Sequence, residues 1–264
     1  NQLFQSELQF LLNYVKSEIN PQNLSSKECQ SNVILELIRR NDINEFQKIT
    51  SSTSNFDFDI NLNVANPEKR ITLFRNINEI VKESAISFKY SYIDYAAFFG
   101  SIDIFKFLLL KKVQLNRFLA LFAVAGGNNE IIHICQQHKC NFKNALQIAI
   151  IYKRNDLYDW LLETIHIDSI ESFIDNIIIF HRNELLLKYI NEKHKEKFIQ
   201  ALIYKCISND NFQMFSFLNK IETIDLKYKY DENKSSVFSL LSTYSDDKFY
   251  KFLFIKWKKI RACL

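Results

Sequence analysis

The chain has 264 residues, of which 47% are apolar and 24% are charged, and this composition is typical of a folded protein with a large core. Its 3 Gly and 2 Pro are too few for the many tight turns of a β-sandwich or barrel, and they favour helices joined by short polar loops. A net charge of +4 is too small to indicate nucleic-acid binding by itself.

The cysteines indicate a cellular compartment. The chain has 5 Cys, an odd number, and among them Cys135 and Cys140 alone lie close together in the sequence, so the pattern does not indicate a disulfide framework. A reducing compartment is the simpler interpretation, and no apolar run approaches the roughly 20 residues of a membrane helix. We therefore expect a cytoplasmic, intracellular protein.

Residues 1–90 predict an N-terminal helical region. Leu3–Ile19 has the pattern of an amphipathic helix, which a proline ends, and we expect this helix to cap the structure. Val33–Ile49 contains two further short apolar segments. Thr50–Arg70 is polar and predicts a long loop, within which the alternating stretch Phe56–Leu62 is typical of a strand or hairpin.

Residues 91–264 contain a repeated segment. Ile102–Leu108 reads apolar, acidic, apolar, apolar, polar, aromatic, apolar. Similar segments recur at intervals of about 26 to 35 residues, which is the range of helical-repeat proteins. With Asp103 as the anchor, the equivalent positions are Glu130, Asp156, Leu185, Gln213 and Lys248.

Each repeated segment follows a second short apolar stretch. These stretches are Tyr92–Phe99, Leu119–Ala125, Ala145–Tyr152, Phe173–Phe180, Ala201–Ile207 and Val237–Ser242. Helices of this length are marginal alone, but stacked pairs bury each other's apolar faces. The pattern therefore predicts an all-α solenoid of antiparallel helix pairs, in which residues 91–264 form one repeat array.

Tyr92–Leu109 resembles the helix–turn–helix core of the ankyrin repeat. Ala96 and Ala97 stand where the family has paired alanines, and Gly100 stands where it has a turn glycine. The resemblance extends over residues 91–260. It implies an ankyrin-like stack of helix pairs whose concave face binds partner proteins.

Two departures define the kind of ankyrin repeat that the chain resembles. No copy has the Thr-Pro-Leu-His opening, and the period is shorter than the family's roughly 33 residues. Because the missing residues are those that form the family's β-hairpin fingers, the resemblance implies shortened finger loops. The chain looks like a divergent, short-period branch of unknown function seen in parasitic protists, with a degenerate early copy at 33–49.

The stretch His133–Cys140 places two histidines and two cysteines close together. In the repeat alignment, Cys135 takes the core position of Leu108 and Cys140 takes that of Val113, whereas both histidines take solvent positions. Residues two apart on one helix point in different directions, so four ligands do not converge. We therefore expect a buried Cys135 thiol, no metal site and no cofactor.

No motif in the sequence indicates catalysis. Gly126-Gly127-Asn128 lies at a repeat turn and lacks the Lys and Ser/Thr of a phosphate loop. The carboxylates are scattered over helix surfaces and do not form an acid–base pair. We therefore expect no catalytic residues and a protein that is not an enzyme.

The end of each first helix is the candidate binding surface. In the ankyrin family this end borders the concave face and is often polar, whereas here it carries many aromatic and aliphatic residues. Exposed rings on such a face suit a protein partner, but shortened fingers would let the same rings pack between repeats, and the sequence leaves both alternatives open. The candidate partner-binding residues are Phe98, Phe99, Ile151, Tyr152, Phe180 and His181.

The C-terminal stretch Lys248–Arg261 is basic and aromatic. Such a stretch suits acidic lipid, RNA or a helix-binding partner. Alternatively, Phe249, Leu253 and Trp257 pack on the preceding helix pair while the lysines keep the end of the array soluble.

These patterns together predict a non-enzymatic scaffold that binds a protein partner of unknown identity on the concave face of a solenoid. The alternative is a helical-repeat module that binds nucleic acid or acidic membrane through the basic C-terminal helix. We favour the protein partner and do not expect nucleic acid or membrane, because the net charge is small.

Overall fold

The computed structural model describes residues 26–59, 90–164, 173–192, 196–221, 248–249, 251–252 and 254–255. All twelve elements within these ranges are α-helices, which confirms the all-α prediction for the described part of the chain. The helices are α1 (Ser26–Arg40), α2 (Ile43–Ser52), α3 (Tyr92–Phe99), α4 (Ile102–Leu110), α5 (Leu119–Gly126), α6 (Asn129–Gln137), α7 (Ala145–Ile151), α8 (Asn155–Thr164), α9 (Ile174–Ile179), α10 (Asn183–Glu192), α11 (Glu196–Ser208) and α12 (Phe212–Ile221). The expected cap at Leu3–Ile19 and the helix predicted at Val237–Ser242 lie outside the described residues.

Contacts divide the chain into two compact units, Asn1–Ile167 and Asp168–Leu264. Within the first unit, α3 packs against α5 and α5 packs against α7, while α4, α6 and α8 each pack against the helix before them. Within the second unit, α9 packs against α10 and α11, and α11 packs against α12. Each unit therefore contains helix pairs laid side by side.

The two helices of a pair bury different faces. In α5, every side chain from Leu119 to Ala125 is buried, because this helix packs against α3, α6 and α7. In α6, Ile131, Ile132 and Cys135 are buried at the spacing of one helical face. Burial of such side chains contributes about 1.5–3 kcal/mol each, which stabilises helices that are too short to persist alone.

Each first helix ends in a tight left-handed turn. At the end of α3, Gly100 has a φ of 70°, and its amide donates to the Ala97 carbonyl at 3.3 Å. The next amide, that of Ser101, donates to the Ala96 carbonyl at 2.9 Å. These bonds form a Schellman motif, which satisfies the last carbonyls of a helix. The left-handed residues at the corresponding place in the other described pairs are Asn41, Gly127, Lys153, His181 and Asp210.

This turn corrects the sequence alignment of the fourth copy by one residue. The sequence pattern aligns His181 with Phe99, but its left-handed φ of 52° makes it the equivalent of Gly100. Phe180, one residue earlier, is therefore the equivalent of Phe99. The same shift moves the anchor of this copy from Leu185 to the preceding glutamate. Two other copies have glycine at this turn, whereas the fourth copy has histidine. An alignment based on residue types therefore places the fourth copy one residue out of register.

In four of the described helix pairs, the residue after the turn joins its pair to the pair before it. Its side chain donates to a main-chain carbonyl at the C-terminal end of the preceding first helix. The bonds are Ser101 Oγ to Ile38 O, Asn128 Nδ2 to Gly100 O at 3.1 Å, and Asn211 Nδ2 to Ile178 O at 3.2 Å. The Ile38 and Ile178 carbonyls also accept from the amides of their own turns, at 3.0 Å and 3.1 Å. A carbonyl oxygen has two lone pairs, so the side-chain bonds use the remaining acceptor capacity and join neighbouring pairs.

Arg154 makes the largest of these connections. Its Nε and Nη2 donate to the Ala125 carbonyl at 2.9 Å and 2.6 Å, and Nη2 also donates to the Gly126 carbonyl at 2.6 Å. The guanidinium fits there because a Cβ on Gly127 would lie 2.6 Å from Arg154 Cζ. A Cβ on Gly126 would lie 2.2 Å from the Ala97 carbonyl oxygen. Gly126 is therefore required by close packing against main-chain atoms, whereas Gly127 is favoured by its left-handed φ of 72°.

The first helix pair packs directly on the second. Asn41 Oδ1 accepts from the amides of Asp103 at 3.2 Å and Ile104 at 3.3 Å, so the turn of the α1–α2 pair caps α4. Arg39 Nε donates to the Tyr95 hydroxyl at 2.7 Å. These contacts agree with the placement of α1 and α2 in the same compact unit as α3 and α4.

Residues 56–59 of the loop after α2 do not form the strand that the alternating Phe and Asp residues predict. At residues 56–59, Asp57 Oδ1 accepts from the Asp59 amide at 3.0 Å, which makes a local turn of the kind that Asp side chains favour. Phe56 stacks on Tyr92 with ring centroids 5.9 Å apart. The rest of the predicted stretch, 60–62, lies outside the described residues.

Replacing Asn128 by Ala should lower the free energy of unfolding by about 1–2 kcal/mol. Asn128 Oδ1 accepts from the amides of Glu130 at 3.0 Å and Ile131 at 3.2 Å, and Nδ2 donates to the preceding pair. Urea unfolding followed by circular dichroism measures the change. The control is Asn129→Ala, one residue later at an exposed position. Equal midpoints for the two variants would contradict the proposed role of the Asn128 side chain.

Candidate functional site

The predicted binding residues of the first unit lie mostly in its core. Phe98, Ile151 and Tyr152 are 1%, 2% and 1% exposed. The Phe98 and Tyr152 rings meet edge to face, with centroids 5.8 Å apart. The sequence leaves open whether these residues form an exposed binding face or pack between helix pairs. These three side chains pack between helix pairs. Such burial makes them part of the fold and leaves little of their surface for a partner.

Three predicted residues keep exposed surface. Phe99 is half-buried, and its ring lies 4.6 Å from the Tyr95 ring and 6.0 Å from the Arg39 guanidinium. In the second unit, Phe180 is half-buried and His181 is exposed. The role of these three residues in binding a partner stays a prediction, and His181 is the one that lines a pocket.

An open pocket with a volume of 630 Å³ lies on the second unit. His181 and Asp210, the left-handed turn residues of successive helix pairs, form one part of its wall. Most of the other lining residues belong to one face of α12, where positions three and four apart stand side by side. The lining residues are His181, Asp210, Phe212, Gln213, Ser216, Phe217, Lys220 and Lys248.

The pocket combines apolar and cationic surface. The Phe217 side chain is 42% exposed, and it offers an aromatic face to a bound group. Lys220 and Lys248 are exposed beside it, and Asp210 is the one carboxylate among the lining residues. An open pocket of this character can hold an extended segment that carries an apolar side chain and negative charge.

Sequence reasoning misses Phe217 and Lys220, although a signal for the ring exists. In α12, Met214, Phe215 and Leu218 are buried, and together they define the face that packs. Phe217 lies off that face, so it is an aromatic residue on the outer side of an amphipathic helix. A large apolar side chain in that place is a known mark of an interaction surface when neighbouring residues add to it.

The C-terminal basic stretch contributes both to packing and to the surface. Phe249 is buried, and its ring lies 5.1 Å from each of two α12 rings. This contact confirms the predicted packing for that residue, while the other two predicted packing residues lie outside the described ranges. Phe254 is 48% and Ile255 is 57% exposed, so this stretch also presents apolar surface.

The structure places the two neighbouring cysteines where the repeat alignment predicts them. At the end of α6, Lys139 is left-handed, with φ 55°, and the Cys140 amide donates to the Cys135 carbonyl at 2.9 Å. The equivalent bond at the end of α4 joins the Val113 amide to the Leu108 carbonyl at 3.4 Å. Cys135 is 1% exposed and Cys140 is half-buried, as expected for a core position and its neighbour in the cap.

The described residues contain neither a cluster of metal ligands nor a membrane-spanning helix. Within those ranges, no three His, Cys, Asp or Glu side chains are placed to hold a metal ion together. His133 is exposed, and its Nε2 lies 3.2 Å from the amide nitrogen of Gln137 on the same helix. No helix in the described part of the chain is long and apolar enough to cross a membrane.

Asp94 is a fully buried carboxyl group at the start of α3. Its Oδ2 accepts from the Ser91 amide at 2.9 Å and from the Ser91 hydroxyl at 2.8 Å, and Asn116 Nδ2 donates to Oδ1. Burial raises the pKa of Asp94 to about 6, although the hydrogen bonds lower it. The carboxyl group fixes the first turn of α3 and joins it to the loop before α5, which is a structural role.

Comparison with known proteins gives one partial likeness. Residues 112–174 match the model of a domain of unknown function, DUF3447. The matched segment begins just after α4 and runs through α5, α6, α7 and α8 to the first residue of α9. No curated protein and no solved structure matches the chain. The likeness covers the α5–α6 and α7–α8 pairs and assigns no activity.

Replacing Phe98 by Ala should lower the free energy of unfolding by about 3–5 kcal/mol, the usual cost of truncating a buried aromatic ring. The change removes the contact with Tyr152 and leaves a cavity at the ends of α3 and α7. Urea unfolding measures the loss. Leu110→Ala in the same unit is the control, because Leu110 is 81% exposed. If the Phe98→Ala protein is as stable as the Leu110→Ala protein, the assignment of Phe98 to the core is wrong.

Asp94 should make the stability of the first unit depend on pH. Its pKa is raised from 3.8 to about 6 by folding, so the unfolded chain loses the proton first as pH rises. The stabilisation is complete below pH 3.8 and declines up to about pH 6. Relative to Asp94→Asn, the native protein should therefore lose about 3 kcal/mol across this window, at about 1.4 kcal/mol per pKa unit. Parallel urea titrations of both proteins at several pH values measure the difference, and a constant difference would contradict the assignment.

Proposed function

We propose that the protein is a non-enzymatic scaffold that binds a partner protein, and that its helix pairs form an ankyrin-like solenoid. The left-handed turn that recurs in every described pair supports the repeat architecture, and so does the hydrogen bond from one pair to the next. Stacked helices hold their surface side chains in place before binding, so binding a partner costs little entropy for ordering these side chains.

The pocket on the second unit is the observation that carries this proposal. It brings the exposed Phe217 ring together with Lys220, Lys248 and the predicted binding residue His181. An aromatic anchor at the centre of an interface contributes about 2 kcal/mol or more to binding. The lysines attract carboxylates and direct the approach of an acidic partner. The partner that fits is an acidic protein segment with an apolar side chain that rests on Phe217.

The second candidate function is binding of nucleic acid or acidic membrane through the C-terminal stretch. Phe254 and Ile255 are exposed there, and Lys248 and Lys251 are exposed on the same stretch. Adjacent cationic and apolar side chains suit an anionic membrane surface or stacked bases. This candidate relies on residues next to the pocket, so the two functions need an experiment that separates them.

Replacing Phe217 by Ser should weaken binding of acidic peptides by about 30-fold, which corresponds to about 2 kcal/mol. The assay is fluorescence anisotropy with labelled peptides that contain one Leu or Phe among Asp and Glu, against peptides of the same length that carry Lys instead. Ile221→Ser is the matched control, because Ile221 is 44% exposed on the same helix and does not line the pocket. Lys220→Glu should reverse the preference for acidic peptides. Equal affinities for acidic and basic peptides, or equal losses in the two Ser variants, would contradict the proposal.

Salt dependence distinguishes the second candidate from the first. Binding to single-stranded RNA should weaken steeply between about 50 and 200 mM salt if phosphates are neutralised, and binding to anionic vesicles should weaken with it. Phe254→Ser should then reduce binding while Phe217→Ser does not. Affinity for the peptide should change less with salt, because the apolar contact with Phe217 contributes to it.

A further inference from the structure

The end of α6 brings two cysteines together through a main-chain hydrogen bond. The amide of Cys140 donates to the carbonyl of Cys135 at 2.9 Å, and Lys139 between them takes the left-handed conformation that turns the chain back. In this kind of helix end, the side chains of the two bonded residues lie against each other. The backbone therefore holds the pair together without any change of fold.

The fold does not require thiols at these two positions. At the end of α4 the same backbone bond joins Leu108 and Val113, both buried and apolar. An apolar contact therefore completes this helix end elsewhere in the unit. The cysteines add a chemical reactivity that the packing does not need.

The two thiols differ in access and in acidity. Cys135 is 1% exposed, whereas Cys140 is half-buried and reachable from solvent. The hydrogen bond from Cys135 lowers the pKa of Cys140, and the same bond together with burial raises the pKa of Cys135. The accessible thiol is thus the one that ionises more readily, which is the property of an attacking thiol, and the buried thiol stands directly behind it.

We propose that Cys140 and Cys135 form a reversible oxidation site, in which Cys140 reacts with a hydroperoxide and Cys135 resolves the product to an intrachain disulfide. The Cys140 thiolate attacks one oxygen of the hydroperoxide, an S–O bond forms, the O–O bond breaks, and an alcohol or water leaves with a proton. The Cys135 sulfur then attacks the Cys140 sulfur. The S–S bond forms, the S–O bond breaks, and the hydroxide leaves as water with the Cys135 proton.

The geometry suits the second step. A disulfide needs its two β-carbons about 3.5–4.5 Å apart, and a helix end that joins the two residues by a 2.9 Å main-chain bond brings their side chains to close range. The two thiols of the reduced pair become one disulfide as two electrons pass to the hydroperoxide. A dithiol reductant reverses the reaction by thiol–disulfide exchange.

The test treats the full chain with hydrogen peroxide at low excess, blocks the remaining thiols and locates the products by peptide mass. The expected product is a peptide with Cys135 and Cys140 linked and two hydrogens lost. Cys206 is the internal control, because it is 0% exposed and burial raises its pKa to about 12. The linked pair should form at least about ten times faster than Cys206 reacts. A rate no higher than that of Cys206 would overturn the proposal.

Two variants assign the roles. Cys135→Ala should stop the reaction at a sulfenic acid on Cys140 that dimedone traps, and Cys140→Val, which copies the apolar residue at the end of α4, should leave Cys135 reduced. If Cys135 oxidises in the Cys140→Val protein, the order of attack is wrong and the proposal fails. Circular dichroism checks that each variant is folded. If a variant is not folded, the test compares the rate of Cys135–Cys140 disulfide formation in the folded native protein with the rate in the same protein unfolded by guanidinium. A site built by the fold must react faster when folded, so an equal or slower rate in the folded protein overturns the proposal.

Discussion

In four of the described helix pairs, the stacking on the preceding pair depends on a hydrogen bond from the residue after the left-handed turn. A helix ends with carbonyl groups that have no partner within the helix, and burying such a group unsatisfied costs about 1–3 kcal/mol. Ser101, Asn128, Arg154 and Asn211 each donate to the end of the preceding first helix. The donor differs from pair to pair while the acceptor stays a main-chain oxygen. The chain can therefore change residue type at this position and still keep the pairs in register.

The turns themselves have an energetic cost that packing must offset. The chain has 3 Gly, so most left-handed positions carry side chains that disfavour a positive φ, at a cost of the order of 1 kcal/mol each. His181 and Asp210 are two such residues, and both line the pocket on the second unit. In the second unit, the backbone conformation that closes a helix pair thus also places a polar side chain at the edge of the pocket.

Local features of the fold follow from the sequence, and contacts between distant residues do not. The bounds of α3 and the placement of Cys135 and Cys140 follow from the helical period and the repeat, because both depend on neighbouring residues. The register of the fourth copy does not follow, because a left-handed His181 looks like a helical residue in a comparison of residue types. The pocket does not follow either, since it joins turn residues to the outer face of α12 by packing that no local pattern encodes.

The repeat also separates positions that serve the fold from positions that are free to serve another role. Phe98 sits where packing needs an apolar side chain, so its aromatic character is explained by the core. Phe217 lies on the outer face of α12, and Cys140 occupies a cap position that a valine fills at the end of α4. Neither residue type is demanded by its place in the repeat. A residue whose chemistry exceeds what its repeat position requires is where binding or reactivity should be sought, and in this chain that criterion selects the pocket and the paired thiols over the buried aromatic column.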